Sequence, residues 1–334
     1  MRLTVIVPVF NGLRVLPGCM DALSRSTLAE DRWDLLVVDD ASTDGTGAWA
    51  EARGLRVRYV SPGPTGPAAA RNAGAESARG DILVFVDADV EVAPDALSRF
   101  ARRFEEEPRL GAVFGAYDDR PGQEDFLSQY RNLYHRWVHL RGGGPAETFW
   151  AGCGAVRREA FEACGGFDAE RYARPQIEDI ELGYRLRDAG WTILLDPEIE
   201  CRHMKRWTLP GIVRTDLFDR GVPWMRLLLE RPRSTSLNVG RSEQLRTAVV
   251  GMALATMIAA ALLRSSLLLT LALAALSAVV VSNAPLYRWF ARRRGWAFAV
   301  GVVGMNLLFY AVSGVAALLG IGGHLVGRRG GSTR

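Results

Sequence analysis

Ile82-Leu83-Val84-Phe85-Val86-Asp87-Ala88-Asp89 is an apolar run that stops abruptly on two acids one residue apart. Five apolar side chains without alternation predict a strand buried on both faces, as in the middle of a parallel sheet. Such sheets gather ligands at the carboxyl ends of their strands. Asp87 and Asp89 therefore stand where a divalent cation, and through it a diphosphate, can be held. The same three residues would also make a plain solvated turn, so the neighbouring segments have to separate the two readings.

Working outward, Leu3 to Val9, Asp34 to Val38 and Leu55 to Val60 are further short β-branched runs bounded by Pro, Gly, Asp and Ser. Helical-length stretches lie between them, at about 13–27, 44–52 and 65–79. Alternating strands and helices with continuous apolar strands predict an α/β fold, a mostly parallel sheet with helices on both faces. A less regular section follows: a strand near 110–117, a helix near 123–140, a glycine-rich passage from Arg141 to Gly154, a helix near 177–189, and strands near 192–195 and 199–203. There is no internal repeat.

Charge divides the chain more sharply than its total suggests. Residues 1–243 hold all 37 acids and 32 of the 41 basic residues, net −5, while the last 91 residues hold nine arginines and no acid, net +9. A soluble domain rarely sheds every carboxylate, whereas a membrane segment flanked by cations does. No basic stripe interleaved with aromatics occurs before residue 243, which argues against a nucleic-acid partner. Lysine occurs once, at Lys205, leaving a single candidate for a lysine nucleophile. Cysteines 19, 153, 164 and 201 form no Cys-x-x-Cys and no zinc spacing with histidine, and read as reduced thiols. The amino-terminal apolar run is too short for a signal peptide, so the catalytic region is expected in the cytoplasm.

Leu209 to Leu229 mixes aliphatics and Trp224 with Arg214, Arg220 and Arg226. That suits either an amphipathic interfacial helix or an ordinary packed surface helix. Ala248–Leu263 and Leu267–Val281 are apolar runs broken only by Arg264-Ser265-Ser266 and predict a tight helical hairpin, and Ala297–Gly323 is long enough to span alone. Between the second and third runs, Arg288, Arg292, Arg293 and Arg294 with Trp289 and Trp296 predict a basic, aromatic loop at the cytoplasmic interface. The expected organisation is a catalytic domain at 1–207, an interfacial helix and linker at 208–244, and three spans, 246–263, 267–283 and 297–321, in a multi-pass protein of the cytoplasmic (inner) membrane. Three spans put the tail, with Arg328, Arg329 and Arg334, outside, in mild conflict with the positive-inside bias.

Asp39-Asp40 end the second strand ahead of Ala-Ser-Thr-Asp-Gly-Thr, which can simply start a helix. A carboxylate at that edge can also accept from a nucleobase N–H, and two acidic edges now lie in one sheet. Taken in order, Thr-Val-Ile-Val-Pro-Val-Phe-Asn at 4–11, Val-Val-Asp-Asp-Ala-Ser-Thr-Asp-Gly-Thr at 37–46, Ala-Arg-Asn-Ala-Gly at 70–74, Asp-Ala-Asp, Gly-Gly-Phe-Asp at 165–168 and Glu-Asp-Ile-Glu-Leu-Gly-Tyr-Arg-Leu at 178–186 resemble family 2 of the nucleotide-sugar glycosyltransferases over about residues 3–207. The resemblance implies the GT-A fold (Rossmann-like), inverting transfer, and Mg or Mn as cofactor. It implies that Pro8, Val9 and Asn11 line the base and ribose pocket, that Asp40, with Asp39, meets the base, and that Arg71 lies near base or diphosphate. Asp87 and Ala88 approach the ribose or metal, and Asp89 binds the metal.

Glu178-Asp179 match the family's Glu-Asp pair, whose Asp is the general base; both also suit the first turn of a helix, where the dipole favours carboxylates. His203-Met204-Lys205-Arg206-Trp207 has the spacing of the Gln-x-x-Arg-Trp motif of processive members, with His in place of Gln. The match implies Arg206 on the diphosphate and Trp207 against acceptor, and His203 is a candidate third metal ligand. Trp150-Ala151-Gly152-Cys153-Gly154 resembles the loop by the acceptor site. The leading expectation is a membrane-anchored transferase moving one sugar from a nucleoside-diphosphate sugar to a lipid or lipid-linked acceptor at the cytoplasmic face of the bilayer. Its rivals are a polysaccharide synthase subunit and a non-catalytic nucleotide-binding scaffold. A nucleotidyltransferase ranks last, for want of a Gly-x-Gly-Thr-Arg-type loop after the first strand. The base, the sugar, the acceptor and the oligomeric state are left open by the sequence.

Overall fold

The computed structural model describes residues 1–60, 63–231 and 240–330, with the side chains of 326–330 left aside. The chain forms two compact units, Met1–Arg206 and Trp207–Arg334.

The first unit is built on one nine-stranded mixed sheet, β1 (Leu3–Val9), β2 (Trp33–Asp39), β3 (Val57–Tyr59), β4 (Ile82–Val86), β5 (Val90–Val92), β6 (Leu110–Tyr117), β7 (Gly144–Pro145), β8 (Cys153–Arg157) and β9 (Thr192–His203), in the order 3-2-1-4-8-6-9-5 with β7 on β9. Strands β1 to β4 are parallel, with Val9 in register with Asp39 and Ile6 with Phe85. The expected parallel character ends at β8, which runs antiparallel to both β4 and β6. What was expected as two strands, 192–195 and 199–203, is the single long β9, irregular in its pairing with β6. Helices α1 (Leu16–Ser24), α2 (Thr46–Glu51), α3 (Pro67–Ser77), α4 (Ala96–Glu106), α5 (Phe126–Arg141), α6 (Arg158–Ala163) and α7 (Glu178–Asp188) connect the strands.

The apolar run that opened the reading is the fully buried β4, each of its residues at most 1% exposed. Burial of such aliphatics stabilises by about 1.5–3 kcal/mol per side chain, which fixes the strand and delivers Asp87 to the sheet edge. After β1 the chain steps to β2 and β3 on one side, then returns to place β4 on the other. A crevice forms at that switch of direction.

The second unit begins with α8 (Leu209–Arg214), a π-helical turn (Thr215–Gly221) and α9 (Val222–Glu230). One face of this stretch packs within the unit: a Cβ on Gly320 would lie 2.7 Å from that of Met225, and one on Gly221 would lie 2.5 Å from that of Ala316. Helices α10 (Arg241–Leu263) and α11 (Ser266–Ser282) form the expected hairpin, turning at Arg264 in the left-handed region, φ 50°. The expected basic loop is instead a helix, α12 (Ala284–Arg294), followed by α13 (Trp296–Gly330). Pro285 sits in the first turn, where its fixed φ suits a helix, and Leu286, Tyr287 and Phe290 form an apolar face that arginine, a good helix former, does not interrupt. Two helices, Arg241–Leu263 and Trp296–Leu325, are long and apolar enough to cross a membrane, or three if α11 and α12, bent by 58°, count as one span. Part of the expected linker, 232–239, and the end of the tail with Arg334 lie outside the described residues.

Candidate functional site

The loops after β1 and β2 are tied to each other before any ligand is considered. Asn11, in the left-handed region at φ 50°, accepts at Oδ1 from the Thr43 N–H (2.8 Å), and its own N–H donates to Ser42 Oγ (2.8 Å). Gly12 and Leu13 donate to Thr46 Oγ1 and Asp44 Oδ2. Pro8 is half-buried and Val9 buried at the end of β1. Asp39 accepts from the Ser42 N–H (2.9 Å), the turn role it was weighed against. Asp40 accepts at Oδ1 from the Thr65 N–H and hydroxyl and at Oδ2 from the Gly66 N–H, each at 2.8 Å. A carboxylate takes about four hydrogen bonds, so Asp40 retains capacity for one more donor, although it is only 4% exposed.

Arg71 of α3 joins two acidic segments that lie about ninety residues apart in the chain. Buried at 5% exposure, it donates from Nη2 to Asp87 Oδ1 (2.7 Å) and from Nη1 to Glu178 Oε1 (2.9 Å). Burial works against its charge, but Asp87, Glu178 and Asp179 outweigh that and hold the guanidinium more firmly protonated than in water. Glu178 also accepts from the Gln176 N–H (2.9 Å). Asp179 is half-buried at the start of α7, accepting from the Ile180 N–H (2.8 Å) and the Ala151 N–H (3.1 Å). The carboxylate thus engages a first-turn N–H of its own helix and is also fixed against the loop that carries Trp150.

Asp89 faces His203 across 3.3 Å, Oδ2 to Nε2. His203 sits at the end of β9, its Nδ1 2.9 Å from Asn132 Oδ1 and its ring stacked on Tyr117 at 4.9 Å and 8°. A ring nitrogen and a carboxylate oxygen thus face each other at hydrogen-bond range, the two ligand types that a divalent ion such as manganese accepts. Burial tends to raise the Asp89 pKa, but His203 and Lys205 overcome it and keep the carboxyl below its ordinary range. No group of three His, Cys, Asp or Glu gathers for a metal among the described residues. Asp89 and His203 fit a metal that takes its other oxygens from a ligand, and Asp87 is engaged by Arg71.

The acceptor-side residues divide. Trp150 packs edge-on to Tyr117 (5.0 Å) and against His135 (4.9 Å), and the Gly152 carbonyl accepts from the Asp87 N–H (3.1 Å). Cys153 is fully buried, paired with Val86 in the sheet, so its thiol meets no surface ligand. Arg206 is exposed, its Nε 3.9 Å from Asp125. Trp207 is the first residue of the second unit. Sequence reading missed Thr65, Tyr117, Asn132 and His135. The signal for Asn132 and His135 was the histidine pair His135 and His139, one turn apart on α5, with Asn132 one turn before His135.

Residues 4–165 match the family described as Glycosyl transferase family 2. The amino-terminal unit carries a family 2 glycosyltransferase domain. Validoxylamine A glucosyltransferase of Streptomyces hygroscopicus is 28% identical over 236 residues, 60% of this chain and 56% of that protein. The O-antigen chain rhamnosyltransferase RfbN of Salmonella typhimurium is 24% identical, over 67% of this chain and 74% of its own length. The chain thus spans about half the length of the first of these relatives. Among solved structures, the Pyrobaculum calidifontis mannosyltransferase PcManGT in complex with GDP-Man and Mn2+ covers 94% of this chain and 87% of its own, at 22% identity and a TM-score of 0.55. S. aureus TarS 1-349 with UDP-GlcNAc covers 94% of this chain and 90% of its own, at 16% identity and a TM-score of 0.52. The glycosyltransferase domain accordingly has the GT-A fold.

Proposed function

We propose that this chain is a membrane-anchored, inverting glycosyltransferase that moves a sugar from a nucleoside-diphosphate sugar to a lipid-linked acceptor at the cytoplasmic face. The observation that carries the reading is Arg71, whose one guanidinium holds Asp87 of the donor edge and Glu178 beside the candidate base. Donor site and base then belong to one constellation.

Inversion by a single displacement needs a base on the face of the sugar opposite the diphosphate. Asp179 takes the proton of the acceptor hydroxyl as its oxygen forms the new glycosidic bond and the diphosphate departs. The Ala151 and Ile180 N–H groups fix the carboxylate for that transfer. Asp40 and Asn11 orient the nucleoside. Asp89 and His203 would hold a Mg or Mn ion, whose charge would make the diphosphate a better leaving group. A mannosyltransferase structure with Mn2+ and the same fold supports a divalent cofactor. Those two solved structures hold a guanosine and a uridine donor, so the choice of base in this chain is for ligand screening to decide.

Names of relatives place acceptors as different as validoxylamine A and an O-antigen chain with the same domain. The argument for a lipid-linked acceptor here is the second unit: anchored beside headgroups, the site meets them at a raised effective concentration. Thermal-shift screening of the full chain against nucleotide sugars with Mn tests the donor, since binding at a hundred times Kd stabilises by about 2.7 kcal/mol. Asp179→Asn is expected to keep that donor shift and to lose transfer by on the order of a hundredfold or more. Normal turnover in this variant would remove Asp179 from the mechanism.

A further inference from the structure

Helix α12 carries the densest positive charge of the second unit and takes no part in the transfer chemistry. Arg288, Arg292, Arg293 and Arg294 fall within its eleven residues, and all four are exposed. No acid follows Glu243 in the sequence.

The other face of α12 is committed to α13. Leu286, Tyr287 and Phe290 are buried; Phe290 stacks on Phe298 at 5.8 Å, and the Tyr287 hydroxyl donates to Asn306 Oδ1 at 2.9 Å. Arg288 and Arg292, one turn apart, are therefore turned away from the helix pair. The Arg293 guanidinium lies 4.0 Å from the centroid of the Trp289 ring, and Trp296 opens α13 at 69% exposure.

The angle of α12 is also built in. At the 58° bend, Asn283 donates from Nδ2 to the Val279 carbonyl (3.0 Å), and the Tyr310 hydroxyl is shared between Asn283 Oδ1 (3.2 Å) and Glu243 Oε2 (2.7 Å). Hydrogen bonds from three helices thus turn the arginine helix off the line of the apolar α11.

We propose that α12 is a headgroup-binding helix that lies in the membrane interface and selects anionic phospholipid, its arginines paired with lipid phosphates. Guanidinium groups meet phosphate oxygens with two parallel hydrogen bonds, and tryptophan favours the same depth. The occupant is bulk anionic lipid, because the charge is spread along the helix face and is not gathered into a pocket. The inference rests on the second unit being embedded in a bilayer.

Full-length protein is reconstituted in vesicles of phosphatidylcholine with and without phosphatidylglycerol, and lipids retained on release into mild detergent are counted by native mass spectrometry. Wild type is expected to retain phosphatidylglycerol over phosphatidylcholine by on the order of tenfold. The R288Q/R292Q/R293Q/R294Q variant should lose that preference, and the corresponding lysine variant should keep most of it. Equal retention of the two lipids by wild type, or an unchanged preference in the glutamine variant, overturns the proposal. If the fourfold variant does not fold, R288Q/R292Q is used together with the salt dependence of the wild-type preference, which should weaken as salt rises; a preference indifferent to both overturns it too. An alkaline wash of the neutral vesicles separates the layers of argument. Release of wild type there sinks the membrane reading itself, whereas retention with no lipid preference sinks only the role of α12.

Discussion

Arg71 shows how far a single residue can reorganise a reading. Its motif context pointed to base or diphosphate, yet its side chain satisfies one carboxylate from β4's edge and one from α7's first turn. Removing one partner of such a buried cluster leaves the others uncompensated, at a cost of about 3–5 kcal/mol. Arg71→Met is therefore expected to lower the Tm of the first unit by roughly 10 °C and to weaken donor binding and transfer together. Arg71→Lys keeps the charge but not the fork, and one ammonium cannot replace two directed donors; differential scanning fluorimetry should find it between wild type and Arg71→Met. A wild-type Tm and wild-type kinetics for Arg71→Met would show that the two acidic segments are held by something else. The acids themselves were legible, because Asp40, Asp87, Asp89 and Asp179 stand where strands or helices begin or end. Their partners were not: Thr65 in its Gly-Pro turn, Asn132 on α5 and Tyr117 on β6 carry no charge of their own, and they meet the site only through the fold.

At the scale of elements, the strands that position the donor edge were readable because hydrophobic runs bounded by turn residues leave little choice. The run Ile82–Val86 is the observed β4 to the residue. The interior crossing was not readable, since an antiparallel β8 between two other strands is set by long-range pairing that no local pattern encodes. The basic segment before α13 was misread as a loop because charge density suggested solvent, whereas its apolar residues at 286, 287 and 290 carried helical spacing. The start of α3 shows what such local geometry does for function. Gly66 holds φ at 90°, a Cβ there would lie 2.3 Å from the Ala173 carbonyl oxygen, and its N–H donates to Asp40. Gly66→Ala is expected to cost about 1–3 kcal/mol of backbone strain and to raise the donor Kd more than it lowers kcat, because it displaces the donors that orient Asp40. Isothermal titration with a nucleotide sugar that finds an unaltered Kd would detach this turn from the donor site.

At the scale of the whole molecule, the charge split, net −5 through residue 243 and +9 from residue 244 on, falls inside the second unit, which begins at Trp207. The sequence could not fix how many helices cross, because α11 is 17 residues, about 26 Å at 1.5 Å per residue, just short of a 30 Å hydrocarbon core. If α10 and α11 both span, the turn at Arg264–Ser265 lies on the far side from the catalytic domain and α12 on the near side. The positive-inside bias favours that orientation, with four arginines in α12 against one in the turn. The four native cysteines all lie in the first unit, three of them buried, so background labelling is low. Ser265→Cys is then expected to react with a membrane-impermeant maleimide on intact cells, and Ala291→Cys only after permeabilisation. The reverse pattern would put the arginines and the catalytic domain together on the outer side, beyond the cytoplasmic supply of nucleotide sugar that the proposed reaction requires.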